Sequence, residues 1–186
     1  TENQLQILLC ELAAYLHNKD MEINVWDRII AFEGRMHEFI KAAYDYQDNT
    51  FHSHPGYYID YFEMRLAQLQ VLHNLHYEIK KIRKMPKQAL VIADYIMYMA
   101  DYVVEMNIPD QQIEKLEEIS EQMKQEELPK TREEFEGRAL LYHILMDLEE
   151  FLVYKKRFVS GLDEKKLRIY WKQEMEQKDS ANELQK

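Results

Sequence analysis

The chain has 186 residues, 46% of them hydrophobic and 31% charged, with a net charge of -10. One domain is the default at this length, with two small ones as the alternative, and this charge content marks a soluble protein rather than a membrane-embedded one. The acidic balance excludes nucleic acid as a partner unless a strong local basic patch compensates, because phosphates would be repelled.

Periodicity of 3.5 to 3.6 residues predicts helices throughout, and no strand pattern competes. The first runs from about Glu2 to Asn18 with Leu5, Leu8, Leu9, Leu12, Tyr15 and Leu16 inward. Glu2, Gln4, Gln6 and Glu11 interrupt this segment, so it does not read as a signal peptide. Its Cys10 is the lone cysteine, which rules out intramolecular disulfides and fits a reducing compartment. We read it as a buried structural thiol. The chain opens at Thr1, which methionine trimming or excision from a longer protein would each produce.

A second helix starts at the cap candidate Asn24 and carries Trp26, Ile29, Phe32, Met36, Phe39, Ile40 and Ala43 inward. Asp48 to Gly56 reads as a loop. A long third helix spans about Tyr57 to Lys84, with the stripe Phe62, Leu66, Leu69, Leu72, Leu75, Ile79 and Ile82. Pro86 opens a fourth, with Leu90, Ala93, Met97, Ala100 and Val104 inward, and Pro109 opens a fifth. The fifth has an acidic outer face (Glu114, Glu117, Glu118, Glu121) and buries Ile113, Leu116, Ile119 and Met123.

Pro129 stops that helix and Thr131 caps the next, with Glu134 three residues on to complete a capping box. This sixth helix, long like the third, runs to about Ser160 and is expected to bury Phe135, Ala139, Tyr142, Leu145, Leu148 and Leu152, with Gly161 as its stop. A last amphipathic piece holds Leu167, Ile169, Tyr170 and Trp171. The expected fold is an all-α antiparallel bundle of about six helices, two of them long, over residues 1–172, with 173–186 a polar, fraying tail. No apolar run approaches the roughly 18–20 residues of a membrane span.

The tetrapeptide Phe32-Glu33-Gly34-Arg35 recurs as Phe135-Glu136-Gly137-Arg138. A duplicated site of two Glu/Arg pairs is the functional reading. The structural reading, which we favour, has each glycine admitting a neighbouring helix while Glu and Arg face solvent.

The usual chemistries are missing. A di-iron bundle needs Glu-x-x-His pairs, and no histidine here has an acidic residue three positions before it. His73 with His76 and His52 with His54 are spaced for metal, but a zinc site wants three or four ligands. They read as surface or partly packed imidazoles, and Glu33 with His37 as a helix-surface pair. No metal or other cofactor is expected. The basic run Lys80-Lys81-Ile82-Arg83-Lys84 with Lys87 suits a helix C-terminus, with weak contact to an anionic membrane surface as the sharper alternative. Tyr57, Tyr58, Tyr61 and Phe62 read as core; Tyr58, Tyr61 and Phe62 are also the candidate ligand or partner patch.

Two stretches carry a family resemblance: Tyr58-Ile59-Asp60-Tyr61-Phe62-Glu63-Met64-Arg65 followed by Gln68, and Leu128-Pro129-Lys130-Thr131-Arg132-Glu133-Glu134-Phe135-Glu136-Gly137-Arg138-Ala139. Through them the chain resembles the C-terminal domain of the bacterial putative aromatic acid exporter family, over about residues 5 to 157. The positions concerned are Tyr58, Tyr61, Phe62, Met64, Arg65, Gln68, Pro129, Thr131, Arg132, Glu134, Phe135, Glu136 and Arg138. The resemblance implies a soluble domain at the cytoplasmic face of the cell membrane, excised from its own N-terminal transmembrane half, without catalysis of its own. It also implies a regulatory or assembly role, and the heptad-like stripes suit homo-oligomerisation. The alternative is a free-standing helical interaction or ligand-sensing module. A DNA-binding regulator would need a basic helix-turn-helix early in the chain, where Trp26 to Ala43 is apolar and acidic instead.

Overall fold

The computed structural model describes residues 1–17, 24–49 and 55–171, and these form seven helices with no strand among them. They are α1 (Glu2–His17), α2 (Val25–Asn49), α3 (Pro55–Lys81), α4 (Ala89–Ala100), α5 (Asp110–Lys124), α6 (Arg132–Ser160) and α7 (Glu164–Tyr170). The fold is all-α, as expected. His52, His54 and the 173–186 tail lie outside the described residues.

The third helix is the centre of the bundle, packed on α2 to one side and on α6 to the other, while α1 packs on α4. Its expected stripe is inward from Leu69 to Ile82, but Met64, Arg65, Gln68, Val71 and His76 are buried as well. A helix clasped from two sides buries more than one stripe.

Helix starts follow the local chemistry. Asn24 Oδ1 accepts from the Asp27 amide at 3.4 Å, opening α2. Thr131 Oγ1 accepts from the Glu134 amide at 3.1 Å, opening α6, and Asp163 Oδ1 accepts from the Lys166 amide at 2.7 Å, opening α7. Glu134 reaches back to the Lys130 amide (2.9 Å), one residue before the cap, which keeps its carboxyl below the usual range. Such caps satisfy amides that have no partner inside the helix.

Four expectations about buried faces need correction. Trp26 and Phe39 are exposed over about two-fifths of their surface, 39% and 41%, and no α2 residue beyond Met36 whose side chain is described is buried, because that half of α2 runs past the main core. Leu90, Met97 and Val104 are exposed; of the expected stripe Ala93 and Ala100 are buried, together with Ala89, Ile92, Tyr95, Ile96 and Met99. Its sequence is apolar all round, so two helical phases fit it equally. Phe135 is 62% exposed, because the buried face of α6 begins at Gly137 and continues through Leu141, Ile144 and Leu148. Arg138 does not face solvent either: it bonds Glu134 Oε1 at 2.8 Å and the Glu127 carbonyl.

The repeated tetrapeptide occupies two unlike settings. A Cβ on Gly137 would stand 2.9 Å from Pro86 Cγ and 3.3 Å from the Lys84 carbonyl oxygen, so this glycine admits the α3–α4 connection. A Cβ on Gly34 would meet nothing within 4 Å, so the close-approach reading fails there.

Candidate functional site

Where α3, α6 and the connection from α4 to α5 meet, the bundle buries charge. Arg65 is 1% exposed. Its guanidinium donates to the Val103 carbonyl (2.6 Å), to Gln68 Oε1 (2.8 Å) and to Tyr61 OH (3.2 Å). Gln68 Nε2 donates onward to the Phe151 carbonyl of α6 at 2.8 Å. From α6, the buried Lys155 ammonium donates to the Glu105 carbonyl. Arg65 and Lys155 thus hold two carbonyls, those of Val103 and Glu105, in a segment that is not helical. Those carbonyls have no ladder of their own, and a buried unpaired carbonyl is costly.

Carboxylates balance the charge at the rim. Glu2 Oε1 lies 4.0 Å from Arg65 Nη2 and accepts from Tyr61 OH at 3.4 Å. Glu105 Oε1 accepts from Tyr57 OH at 2.5 Å, and the Trp171 indole donates to the same Tyr57 oxygen at 3.1 Å. Burial, with the neighbouring Arg65 next, pulls the Lys155 pKa down to about 7. Burial also raises the Tyr57 and Tyr61 phenols above their ordinary range, so both are neutral donors. The hollow beside this network holds about 10 Å³. That is room for about one water, and the hydrogen bonds of the network run between α3, α6 and the α4–α5 connection.

The expected patch divides. Tyr61 is buried over Arg65, in a small second core with Tyr57, Met64, Phe158, Leu162 and Trp171. Tyr58 and Phe62 instead line an open apolar groove of about 500 Å³ between α2 and α7, with Phe39, Tyr46, Ile169 and Tyr170. Phe39 and Phe62 stand 5.3 Å apart, and Tyr58 meets Tyr170 edge-on at 5.6 Å. Arg65 and Gln68, which only the family resemblance singles out in the sequence, form the polar centre.

Lys155, Glu105 and Glu2 were not anticipated. Lys155 had a legible signal, since it continues the buried face of Phe151 and Phe158 at spacings of four and three. Of the second stretch, Thr131, Glu134 and Arg138 form the capped start of α6, while Pro129 and Phe135 line a groove with α5. Arg132 and Glu136 are exposed.

Among the described residues, no cluster of three or more His, Cys, Asp or Glu is placed for a metal. His73 packs edge-on to Trp26 at 4.3 Å and lies 3.6 Å from Glu33 Oε1 on α2, so Glu33 meets His73 rather than His37, four residues along its own helix. His76 is buried with neither nitrogen hydrogen-bonded, and burial holds its pKa near 4. Cys10 is half-buried. Lys80 and Lys81 close the last turn of α3, while Lys87 lies 3.8 Å from Glu126. No described helix is long and apolar enough to cross a membrane.

Comparison with known proteins gives concordant findings. The family described as the putative aromatic acid exporter C-terminal domain matches residues 1–156. The chain is similar to the uncharacterized protein YqjA of Bacillus subtilis (strain 168), 26% identical over 159 residues. That match covers 84% of this chain and 48% of YqjA, so the chain spans about half the length of this relative. The fold is similar to the crystal structure of a putative membrane protein from Clostridium difficile 630, with a TM-score of 0.75 and 24% identity, covering 86% of this chain and 94% of that one.

Proposed function

The chain belongs to the putative aromatic acid exporter C-terminal domain family, and from that membership we propose that it is an assembly and regulatory domain of a membrane exporter. The observation that carries the reading is the family match over residues 1–156. In this reading the domain sits at the cytoplasmic face and performs no catalysis. A membrane half supplied by the rest of the polypeptide conducts the substrate, an aromatic acid. The domain brings copies together through apolar helix faces, and Leu90, Val91 and Met97 of α4 support this because they are exposed. The test is to delete the domain from the full-length protein and measure efflux of aromatic acids from cells. Reduced efflux at equal membrane expression is expected; unchanged efflux overturns the reading.

A second reading, ligand sensing, is favoured by the aromatic groove. A hollow of about 500 Å³ walled by Phe39, Tyr58, Phe62 and Tyr170 has the size and lining of a small-molecule site. Titrating the chain with an aromatic acid while following Trp171 fluorescence tests it, because Trp171 bonds Tyr57 beside the groove. A saturable change abolished by Tyr58→Ala with Phe62→Ala supports sensing, and no saturable change refutes it.

A further inference from the structure

Along α5 and α6 lie two adjoining hollows, of about 280 and 220 Å³, which share Lys124 and Tyr142 and so form one groove. Its apolar surface is not incidental. Leu128 is 85% exposed and Met146 63%, and Phe135 stands between them in the chain with a similar exposure. Large apolar side chains gathered at one place mark a contact site. The walls are acidic: Glu117, Glu121 and Glu149 beside the first hollow, Glu126 and Glu127 beside the second. Three of these carboxylates are ion-paired, Glu121 with Lys124, Glu126 with Lys87 and Glu127 with Lys130, and Arg138 pairs with Glu134. Glu117 and Glu149 have no ion pair among the described residues, and the lining holds five acidic side chains against two basic ones.

We propose that this groove seats a basic amphipathic helix from the part of the exporter polypeptide that lies outside these 186 residues. The proposal rests on the exporter reading above. Charge selects the occupant. A second copy docking symmetrically would set acidic walls against acidic walls, and an anionic membrane surface would be repelled in the same way. A helix with apolar residues at i, i+3, i+4 and i+7 and Lys or Arg along its flanks satisfies floor and walls together. The 15 residues of α5 make the groove roughly 22 Å long, or about four helical turns. The source follows from chain length and topology. The relative YqjA is about twice as long as the matched region, and cytoplasmic segments beside membrane spans are rich in Lys and Arg.

The test has two arms. In the full-length protein in its membrane, Phe135 and, separately, Met146 are replaced by a photoreactive phenylalanine analogue, and the crosslinked peptides are mapped. The proposal expects crosslinks to a Lys/Arg-flanked segment outside this domain, lost in the Glu117→Lys, Glu149→Lys double variant. Crosslinks to another copy of this domain or to lipid, or no crosslink, overturn it. In the second arm the 186-residue chain is titrated with a designed 14-residue Leu/Lys amphipathic helix and with its scrambled isomer. The helix should bind about tenfold more tightly, and Phe135→Ser with Met146→Ser should abolish the difference. Equal binding of the two peptides overturns the proposal. The outcomes separate from those of the exporter reading: loss of efflux on deletion with no crosslink defeats this proposal alone, whereas crosslinks with unchanged efflux defeat only the functional reading.

Discussion

Replacing Arg65 with methionine tests whether the buried polar network holds the bundle together. Methionine fills much of the space of the arginine stem but removes donors to the Val103 carbonyl, Gln68 Oε1 and Tyr61 OH. The Val103 carbonyl then loses its charged donor in a segment without helical bonds. An orphaned buried acceptor costs about 1–3 kcal/mol, and breaking a buried charged arrangement about 3–5 kcal/mol. Relief of repulsion with Lys155 offsets part of this, since Arg65 is one of the groups depressing the Lys155 pKa. The net expectation is a loss of about 3 kcal/mol, which at a urea slope of about 2 kcal/mol per molar lowers the midpoint by about 1.5 M. Arg65→Lys keeps the charge but not the three-way fork, and should lose about half as much. Urea unfolding followed by circular dichroism measures both. A midpoint for Arg65→Met within about 0.3 M of the parent would refute the account of how the 101–109 connection is anchored.

Other outcomes follow from the same structure. Gly137→Ala should destabilise by about 1–3 kcal/mol through overpacking against Pro86 and the Lys84 carbonyl, and Gly137→Leu by more. Gly34→Ala should stabilise by about 0.5–1 kcal/mol, because the added methyl meets open space; thermal melts of the three variants distinguish them. Thr131→Ala should cost about 1 kcal/mol by freeing the Glu134 amide, and an unchanged denaturant midpoint would mean that α6 is not held by this cap. Lys155 titrates near 7 in the folded chain and at about 10.4 when unfolded, so the unfolded chain binds the extra proton between these values. Stability should therefore rise from pH 7 toward 10, and Lys155→Met should lack that rise; parallel profiles for parent and variant contradict it. His76, near 4 when folded and about 6.5 when unfolded, contributes stability present above pH 6.5 and lost as pH falls toward 4. His76→Leu should flatten that acid limb in denaturant midpoints measured from pH 7 to 4.

Where one face of a helix was clearly apolar, its sequence sufficed. Leu116, Ile119 and Met123 of α5 are buried as their spacing predicts, since Glu117, Glu118 and Glu121 leave no competing phase, while at the helix start Ile113 is half-buried and Gln112 is buried beside it. The Thr131 cap was legible because its partner is three residues away and needs no tertiary contact. Phase failed in α4, where Leu90 and Met97 are as apolar as Ile92 and Ile96 and only packing on α1 decides between them. The two Phe-Glu-Gly-Arg segments show the same limit. Their identical sequences say nothing of Pro86, which lies 51 positions before Gly137 and faces it alone. The polar centre was hidden for a different reason: Arg65 and Lys155 carry charges that ordinarily stay in water. Only their register with Tyr61, Leu72, Phe151 and Phe158 pointed inward.

The proposal that this domain holds an exporter's subunits together is tested most directly by the native mass of the full-length protein. Extracted in a mild detergent and weighed by light scattering, the full-length protein should form a stable oligomer. The same protein lacking the region corresponding to residues 1–171 should fall to a smaller species at equal concentration. An identical oligomer with and without the domain would contradict the account.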